Sequence, residues 1–556
     1  MIRIFVLSCL LCLTAPSLGA ELAPPIRLTF CGMNDFHGAL EARHARVVGG
    51  RQVGGIDIIA AYIQALRQAN PGGLLLADAG DLYQGTLLSA ASEGAAVVEF
   101  YNELGFDAVA VGNHDFDFGP KGYHSTPNTP DEDALGVLKE RVKQARFPFL
   151  AANIYVRETG KPLALKNLKS YTIVERKGVK IALVGLTSED TPLTTHPANV
   201  RSLEFRPMLK ELQRVLPEVR KAGATVVILL VHAGVGVHEE SGDLHGPVAE
   251  LARALKPGEV DLILSGHWHL PVAGEVNGIP ILQTWSSGLS FARADLLVDP
   301  ESKRVMAGRV NLHDSTFFFR ADRDGRPLMF AGRTIKPVPR FVRKLRRFRK
   351  SIAHLQNIRL GRAEANLVHK QDLDSSVGNL VTDAMRASDD AIDMAMYNSG
   401  GLRTNIPKGV ITFGRIYEVV PFDNNLVKVS LSGAQVREVL EHGLSGPYGV
   451  MEISGLKVVF DPDRPPGKRC LSILTSEGKE VEDRKVYVVA TNEFVLNGGD
   501  GYFTFARGKN IQNTYTLIRE LLARYIKTKG TVHPDTGGRY SPRKSGRRAN
   551  PTEAKK

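Results

Sequence analysis

Short apolar runs alternating with longer amphipathic segments predict a layered α/β fold, split between two domains. The length, 556 residues, exceeds one ordinary domain and leaves room for two proper cores. A proline-led basic helix near residue 340 divides the chain, and in the half before it five strand-like runs end in metal-ligand residue types. Hydrophobic content of 43% and charged content of 23% are those of a globular protein. The net charge of +12 is concentrated locally rather than spread evenly.

In order, residues 1–20 carry a basic start at Arg3, an apolar run over 4–13, and small residues at Ser17, Gly19 and Ala20. This predicts a secretory signal peptide, and hence a periplasmic or secreted protein after cleavage. No later stretch reaches the roughly 18 apolar residues of a transmembrane helix. Cys9 and Cys12 would leave with the signal and lack the small-residue pattern of a lipoprotein attachment site. Cys31 and Cys470 remain, too few for a disulfide scaffold, and are expected as free or buried thiols.

The first domain is expected over 26–315. A strand at 28–32 runs into Asp35 and His37, and a helix at 56–68 presents Ile59, Ile63 and Leu66 on one face. A strand at 74–77 precedes Asp81. A helix at 95–104 leads to a strand at 109–111, which breaks at Gly112 into Asn113, His114, Asp115 and Asp117. Further strands at 226–231 and 262–264 deliver His232, then His267 and His269. In α/β folds, chemistry gathers beyond the carboxyl ends of strands. The pooled nitrogen and oxygen ligands suit two divalent cations, with zinc or manganese foremost and iron or cobalt also compatible. The absence of thiolates argues against a structural zinc site. Two such cations would clamp a phosphoryl group and activate a water, with Asp81 suited to bridging them.

Residues 316–359 read as a linker, with a hairpin expected to turn at Asp324 and Gly325. Its helix, over 340–356, places Phe341, Leu345, Phe348, Ile352 and Leu355 on one face and six Arg or Lys on the rest, read as a solvated face. The second domain is expected over 360–525. Its legible pieces are Gly378 and Asn379 opening a helix, then the segments around Asn398 and Arg403, Phe422 and Asn424, and Phe494 and Asp500. Residues 526–556 are polar and basic and are expected to be a disordered tail. No apolar run ends the chain, which argues against a glycosylphosphatidylinositol anchor. Nucleic acid is not expected as a partner, because the basic residues lie in linker and tail with few aromatics interleaved.

The ordered motifs Asp35-x-His37, Gly80-Asp81, Gly112-Asn-His-Asp115, Val231-His232 and Gly266-His-Trp-His269 resemble a calcineurin-type metallophosphoesterase. The second-domain motifs make the chain similar to the secreted 5'-nucleotidase family, which includes UDP-sugar hydrolases. The resemblance implies a four-layered αββα metal domain and a smaller α/β substrate-binding domain, joined by a helix about which they rotate. It implies that Asp35, His37, Asp81 and His269 hold one metal, and that Asp81, Asn113, His232 and His267 hold the other. His114 and Asp117 match the family's catalytic pair. Phe422 and Phe494 match the aromatics that sandwich the nucleobase, Asn398 and Arg403 are expected at the phosphate, and Asn424 and Asp500 at the base or ribose.

One stretch departs from the family pattern. Where relatives carry arginines shortly before the Gly-Asn pair, this chain has only Lys370 over 370–376, which lacks an arginine's bidentate fork. The expected activity is release of phosphate from nucleoside 5'-monophosphates, with UDP-sugar cleavage at the same centre. The alternatives are a 2',3'-cyclic-nucleotide 2'-phosphodiesterase with 3'-nucleotidase activity, and a non-catalytic nucleotide- or surface-binding protein.

Overall fold

The computed structural model describes residues 23–543 apart from 123, 371, 372, 374 and 536, so the expected signal peptide and the last thirteen residues lie outside the described part. Two sheets dominate the first domain. One has seven strands, with Ile26–Met33 paired in parallel to Leu74–Asp78, which is followed by Ala108–Ala110. The other has six, centred on Val179–Thr187, Val226–His232 and Leu262–Ser265, all parallel.

Strand periodicity explains why the sheets stack. Leu28, Phe30, Leu75 and Ala77 meet Ile228, Leu230, Leu262 and Leu264 in one buried cluster between the sheets. Their neighbours Cys31, Met33, Leu74 and Leu76 face outward, onto the helices Ile56–Ala69 and Ala95–Leu104. On the far side, Val227, Leu229 and Val231 pack under Met208–Lys221 and Pro247–Ala254. The result is helix, sheet, sheet, helix, the predicted four layers. Both faces of each central strand are covered, so these runs read as continuously apolar.

Packing carries this domain past the expected limit of 315. The strand Val305–Phe317 is followed by Phe318 and Ile335, both buried in the first-domain core. Asp324 and Gly325 do form a turn, with Asp322 Oδ1 accepting from the amides of Asp324 and Arg326, but it joins no strand pair. The small hairpin lies further on, pairing Met329–Phe330 with Arg333–Thr334.

The linker helix is Pro339–Gln356. Phe341, Leu345 and Ile352 are buried against the first domain, and the Phe341 ring stacks on Phe100 with centroids 5.8 Å apart. Leu355, expected on the same face, is exposed. The basic face is not simply solvated: Lys344 pairs with Glu99 at 2.8 Å and with Glu103, and Arg349 pairs with Glu41. The helix is therefore docked on the first domain by both its apolar and its charged sides.

The second domain is built on a five-stranded sheet that includes Met394–Asn398, Asn425–Ser432 and Val486–Asn492. Helices Ser376–Arg386 and Ile518–Lys529 cover one face and Gly433–Ser445 the other. The tail expectation is corrected here. Ile526, Val532 and Tyr540 are buried, Tyr540–Pro542 adds a strand beside Leu456–Phe460, and Arg539 pairs with Asp383 at 2.8 Å. Polar composition hid this segment because it contributes single apolar anchors to cores made elsewhere. Cys31 and Cys470 are free thiols. Among the described residues no helix is long and apolar enough to cross a membrane.

Candidate metal centre and substrate cavity

Five strands of the first domain converge at their carboxyl ends. Asp35 and His37 follow the first strand, Asp81 the second and Asn113 the third, His232 closes the fourth, and His267 and His269 follow the fifth. Asp35, His37, Asp81, His267 and His269 all have positive φ, between 50° and 77°. Such backbone costs on the order of 1–3 kcal/mol per residue and persists where the surroundings over-determine it. Gly112 makes the close approach possible, since a Cβ there would sit 2.2 Å from Asp81 Oδ1.

Two groups of ligand atoms result, Asp35 with His37 and His269, and Asp81 with His232 and His267. His37 Nδ1 lies 3.0 Å from the Gln84 carbonyl oxygen and donates its proton there, leaving a lone pair on Nε2. That lone pair faces His269 Nε2 at 3.1 Å, and His269 Nε2 lies 3.2 Å from Asp35 Oδ1. In the same way His232 Nδ1 donates to the Ala79 carbonyl at 2.8 Å, so Nε2 points at Asn113 Oδ1 at 2.9 Å and Asp81 Oδ2 at 3.1 Å. Asn113 Oδ1 is also 3.0 Å from His267 Nδ1, while its amide nitrogen is fixed by the Thr194 carbonyl. Asp81 Oδ2 is buried and accepts no hydrogen bond. Acceptor atoms aimed at one another around an orphaned carboxylate oxygen fit cations, which would turn repulsion into coordination. These two groups are the candidates for a pair of cations.

The charges are strongly interdependent. Burial would raise the Asp81 carboxyl, but His232 and His114 hold it well below the carboxylate range. Burial would lower His232, yet the Asp81 carboxylate raises it, a positive charge that a bound cation would supply in place of the proton. Burial, aided by Arg403, keeps His37 well below the usual histidine range.

His114 stands beside these groups. Its backbone N–H donates to Asp81 Oδ1 at 2.7 Å, and its Nδ1 donates to Asp117 Oδ2 at 2.6 Å. Asp117 Oδ1 in turn accepts from the Thr195 hydroxyl at 2.7 Å. Burial opposes protonation of His114, but Asp117 and Asp81 outweigh it and raise its pKa. The chain Thr195–Asp117–His114 fixes the tautomer and leaves Nε2 for an incoming group.

A cavity of about 700 Å³ opens from this centre and is closed by the second domain. Phe422, Asn424, Phe494, Asp500, Asn398 and Arg403 all line it. The Phe422 ring lies 5.4 Å from that of His114, and the Arg403 guanidinium reaches to 3.3 Å from His37 Nε2. Asn398 is grouped differently from the expectation: its amide donates to Asp500 Oδ2 at 2.7 Å and accepts from Asn492, so it stands with Asp500 rather than beside Arg403. Burial pushes the Asp500 carboxyl up to about 7. Lys370 lines neither this cavity nor a smaller one nearby, and positions 371, 372 and 374 lie outside the described residues.

Sequence reasoning missed Thr195, Asp190 and Tyr448. Asp190 Oδ2 lies 3.8 Å from His267 Nε2, and both Asp190 and Tyr448 line the cavity. A signal existed for Asp190, because the apolar strand Val179–Thr187 also ends in a polar turn, at Ser188 and Asp190. Tyr448 carries no comparable pattern.

Comparisons with known proteins agree with this geometry. The family model for calcineurin-like phosphoesterases matches residues 28–271, and that for the 5'-nucleotidase C-terminal domain matches 351–507. The chain is 27% identical to a snake venom 5'-nucleotidase of Naja atra, over 92% of this chain and 98% of that one. It is 26% identical to a 5'-nucleotidase of Vibrio cholerae, covering 94% of each. A crystal structure of a 5'-nucleotidase precursor from Thermus thermophilus superposes with a TM-score of 0.79 at 25% identity, covering 94% of this chain and 100% of that one. Its first domain thus matches the calcineurin-like phosphoesterases, with two ligand groups at its strand ends, its second matches the 5'-nucleotidase C-terminal domain, and the chain is a metal-dependent phosphoester hydrolase of the 5'-nucleotidase type.

Proposed function

We propose that this 5'-nucleotidase-type phosphohydrolase releases phosphate from nucleoside 5'-monophosphates, outside the cytoplasm, with zinc or manganese as its metals. The observation that carries the reading is the position of the Thr195–Asp117–His114 chain, between the two ligand groups and a cavity lined by Phe422 and Phe494. Asp35, His37, Asp81 and His269 would hold one cation, and Asp81, Asn113, His232 and His267 the other. Bound cations would supply Lewis-acid polarisation of the phosphoryl oxygens and an ionised water as nucleophile.

The chain's own residues do the rest. Arg403 presents its fork to phosphoryl oxygens, and its burial beside His37 strengthens that contact. Protonated His114 stabilises charge developing on the leaving 5'-oxygen, while Asp117 holds the ring in place. Phe422 and Phe494 stack on the base, which any nucleobase permits, so a broad base range follows. Asp500, oriented by Asn398, accepts a hydrogen bond from base or ribose.

The test is phosphate release from AMP by metal-depleted protein with manganese or zinc restored, beside a His114→Ala control. Release that needs metal and collapses in the variant supports the reading. Metal-dependent cleavage of UDP-glucose or 2',3'-cyclic AMP without turnover of AMP would transfer the assignment to those substrates. No turnover of any of the three would favour a binding role.

A further inference from the structure

A second, smaller cavity of about 80 Å³ lies on the other side of His269 and Arg403, at the junction of the two domains. It borders the first ligand group through His37 and His269. Its walls carry two guanidinium groups, Arg43 from the first domain and Arg403 from the second. The hydroxyl residues Ser286, Ser287 and Thr404 complete much of the rest.

Arg43 is the unusual member. It sits on the strand Ala42–Ala45 and is half-buried. No hydrogen bond or ion pair joins its side chain to another described residue. The acids in its surroundings are Glu418, which also lines the cavity, and Glu41. Both are committed elsewhere, Glu418 to Arg415 at 2.5 Å and Glu41 to Arg349. A half-buried guanidinium without a partner among the described residues is free to make charge-assisted bonds to an anion. Two guanidiniums with hydroxyl groups around a space too small for a nucleoside match one tetrahedral oxyanion.

We propose that this cavity is a second oxyanion subsite, in which Arg43 and Arg403 hold a phosphoryl group from opposite domains. The occupant is either free inorganic phosphate or a further phosphoryl group of a nucleotide substrate, the chemistry being the same. Because Arg403 lines both cavities, an anion here also restrains the guanidinium that faces the substrate phosphoryl group. The inference deepens the proposed nucleotidase reading and rests on it for the choice of substrate.

The deciding experiment is a calorimetric titration of the metal-loaded protein with inorganic phosphate, for wild type, Arg43→Ala, Arg43→Lys and Arg415→Ala. Wild type is expected to bind two equivalents. Arg43→Ala should weaken one of them by about 10-fold or more, the scale of one charge-assisted contact. Arg43→Lys should retain part of the affinity, whereas Arg415→Ala, which frees the Glu418 carboxylate at the cavity wall, should weaken the same equivalent. Matching melting temperatures report intact folding, and if Arg43→Ala fails to fold, Arg43→Lys carries the same readout. Identical isotherms for wild type and the Arg43 variants would overturn the subsite.

A kinetic arm separates the sources. If a substrate phosphoryl group occupies the cavity, Arg43→Ala raises the KM for ADP relative to AMP by about 10-fold. If free phosphate occupies it, that ratio holds and only the titration changes. Failure of wild type to hydrolyse either nucleotide would sink the nucleotidase reading, while the titration, which needs no turnover, would still decide the subsite.

Discussion

The two walls of the active cavity are built on opposite plans. The first-domain wall is over-determined: Asp35, His37, Asp81, Asn113 and His232 each bond a backbone group, and five of the ligand residues sit at positive φ. The second-domain wall is sparser, with the rings of Phe422, Phe494 and Tyr448, one arginine and a carboxylate oriented by an asparagine chain. Chemistry on a phosphoryl group tolerates little misplacement, so its groups stand on rigid strand ends. Recognition of a base by stacking tolerates much more, so it can be left to short segments on a separate domain.

That contrast predicts effects of graded size. The largest belongs to Asp81→Ala, which removes the carboxylate of the second ligand group, the one proposed to bridge both cations. Activity should fall to background and bound metal should fall with it, as metal analysis of the purified variant would show. Full metal content in that variant would remove Asp81 from the centre. His114→Ala should keep its metal but lose about 10²–10⁴-fold in kcat, the range for a lost acid or oxyanion-stabilising group.

Asp117→Asn should cost about 10²-fold and also move the pH profile. Burial depresses the His114 pKa and Asp117 raises it, with the second effect winning. Without the carboxylate the His114 pKa falls. The protonated ring is then lost at lower pH, and the alkaline limb of kcat shifts downward. An unmoved limb would mean that another group titrates there. On the other wall, Phe422→Ala and Phe494→Ala should each raise KM for AMP by about 10–100-fold, from roughly 1–3 kcal/mol of stacking per base. Ribose 5-phosphate, which has no base, should be nearly indifferent to them. Equal losses on both substrates would assign the rings to packing instead.

The first wall was also the more legible in sequence. Strand, glycine and ligand follow one another within a few residues, as in Val111, Gly112 and Asn113, so local pattern and site coincide. The layered sheets could be anticipated because their central strands are apolar on both faces. Legibility failed where a residue acts through tertiary contact alone. Thr195 matters because it meets Asp117, 78 positions away, and nothing near it in sequence announces that bond. Asn398 bonds Asp500, 102 positions on, a contact that no local pattern announces. The final ordered segment was misread because its anchors, Val532 and Tyr540, are isolated apolar residues in a polar stretch. The linker helix showed its apolar stripe plainly, whereas the glutamates that neutralise its basic side come from elements nearly 250 residues earlier, as with Lys344 and Glu103.

In the proposed function the first domain carries a two-cation hydrolytic centre, against which the second domain presents the nucleotide. The most direct test is a titration of metal-depleted protein with manganese, following phosphate release from AMP and bound metal together. The account predicts that activity rises to a plateau at two equivalents per chain. A plateau at one equivalent, or release that proceeds without added metal, would contradict it.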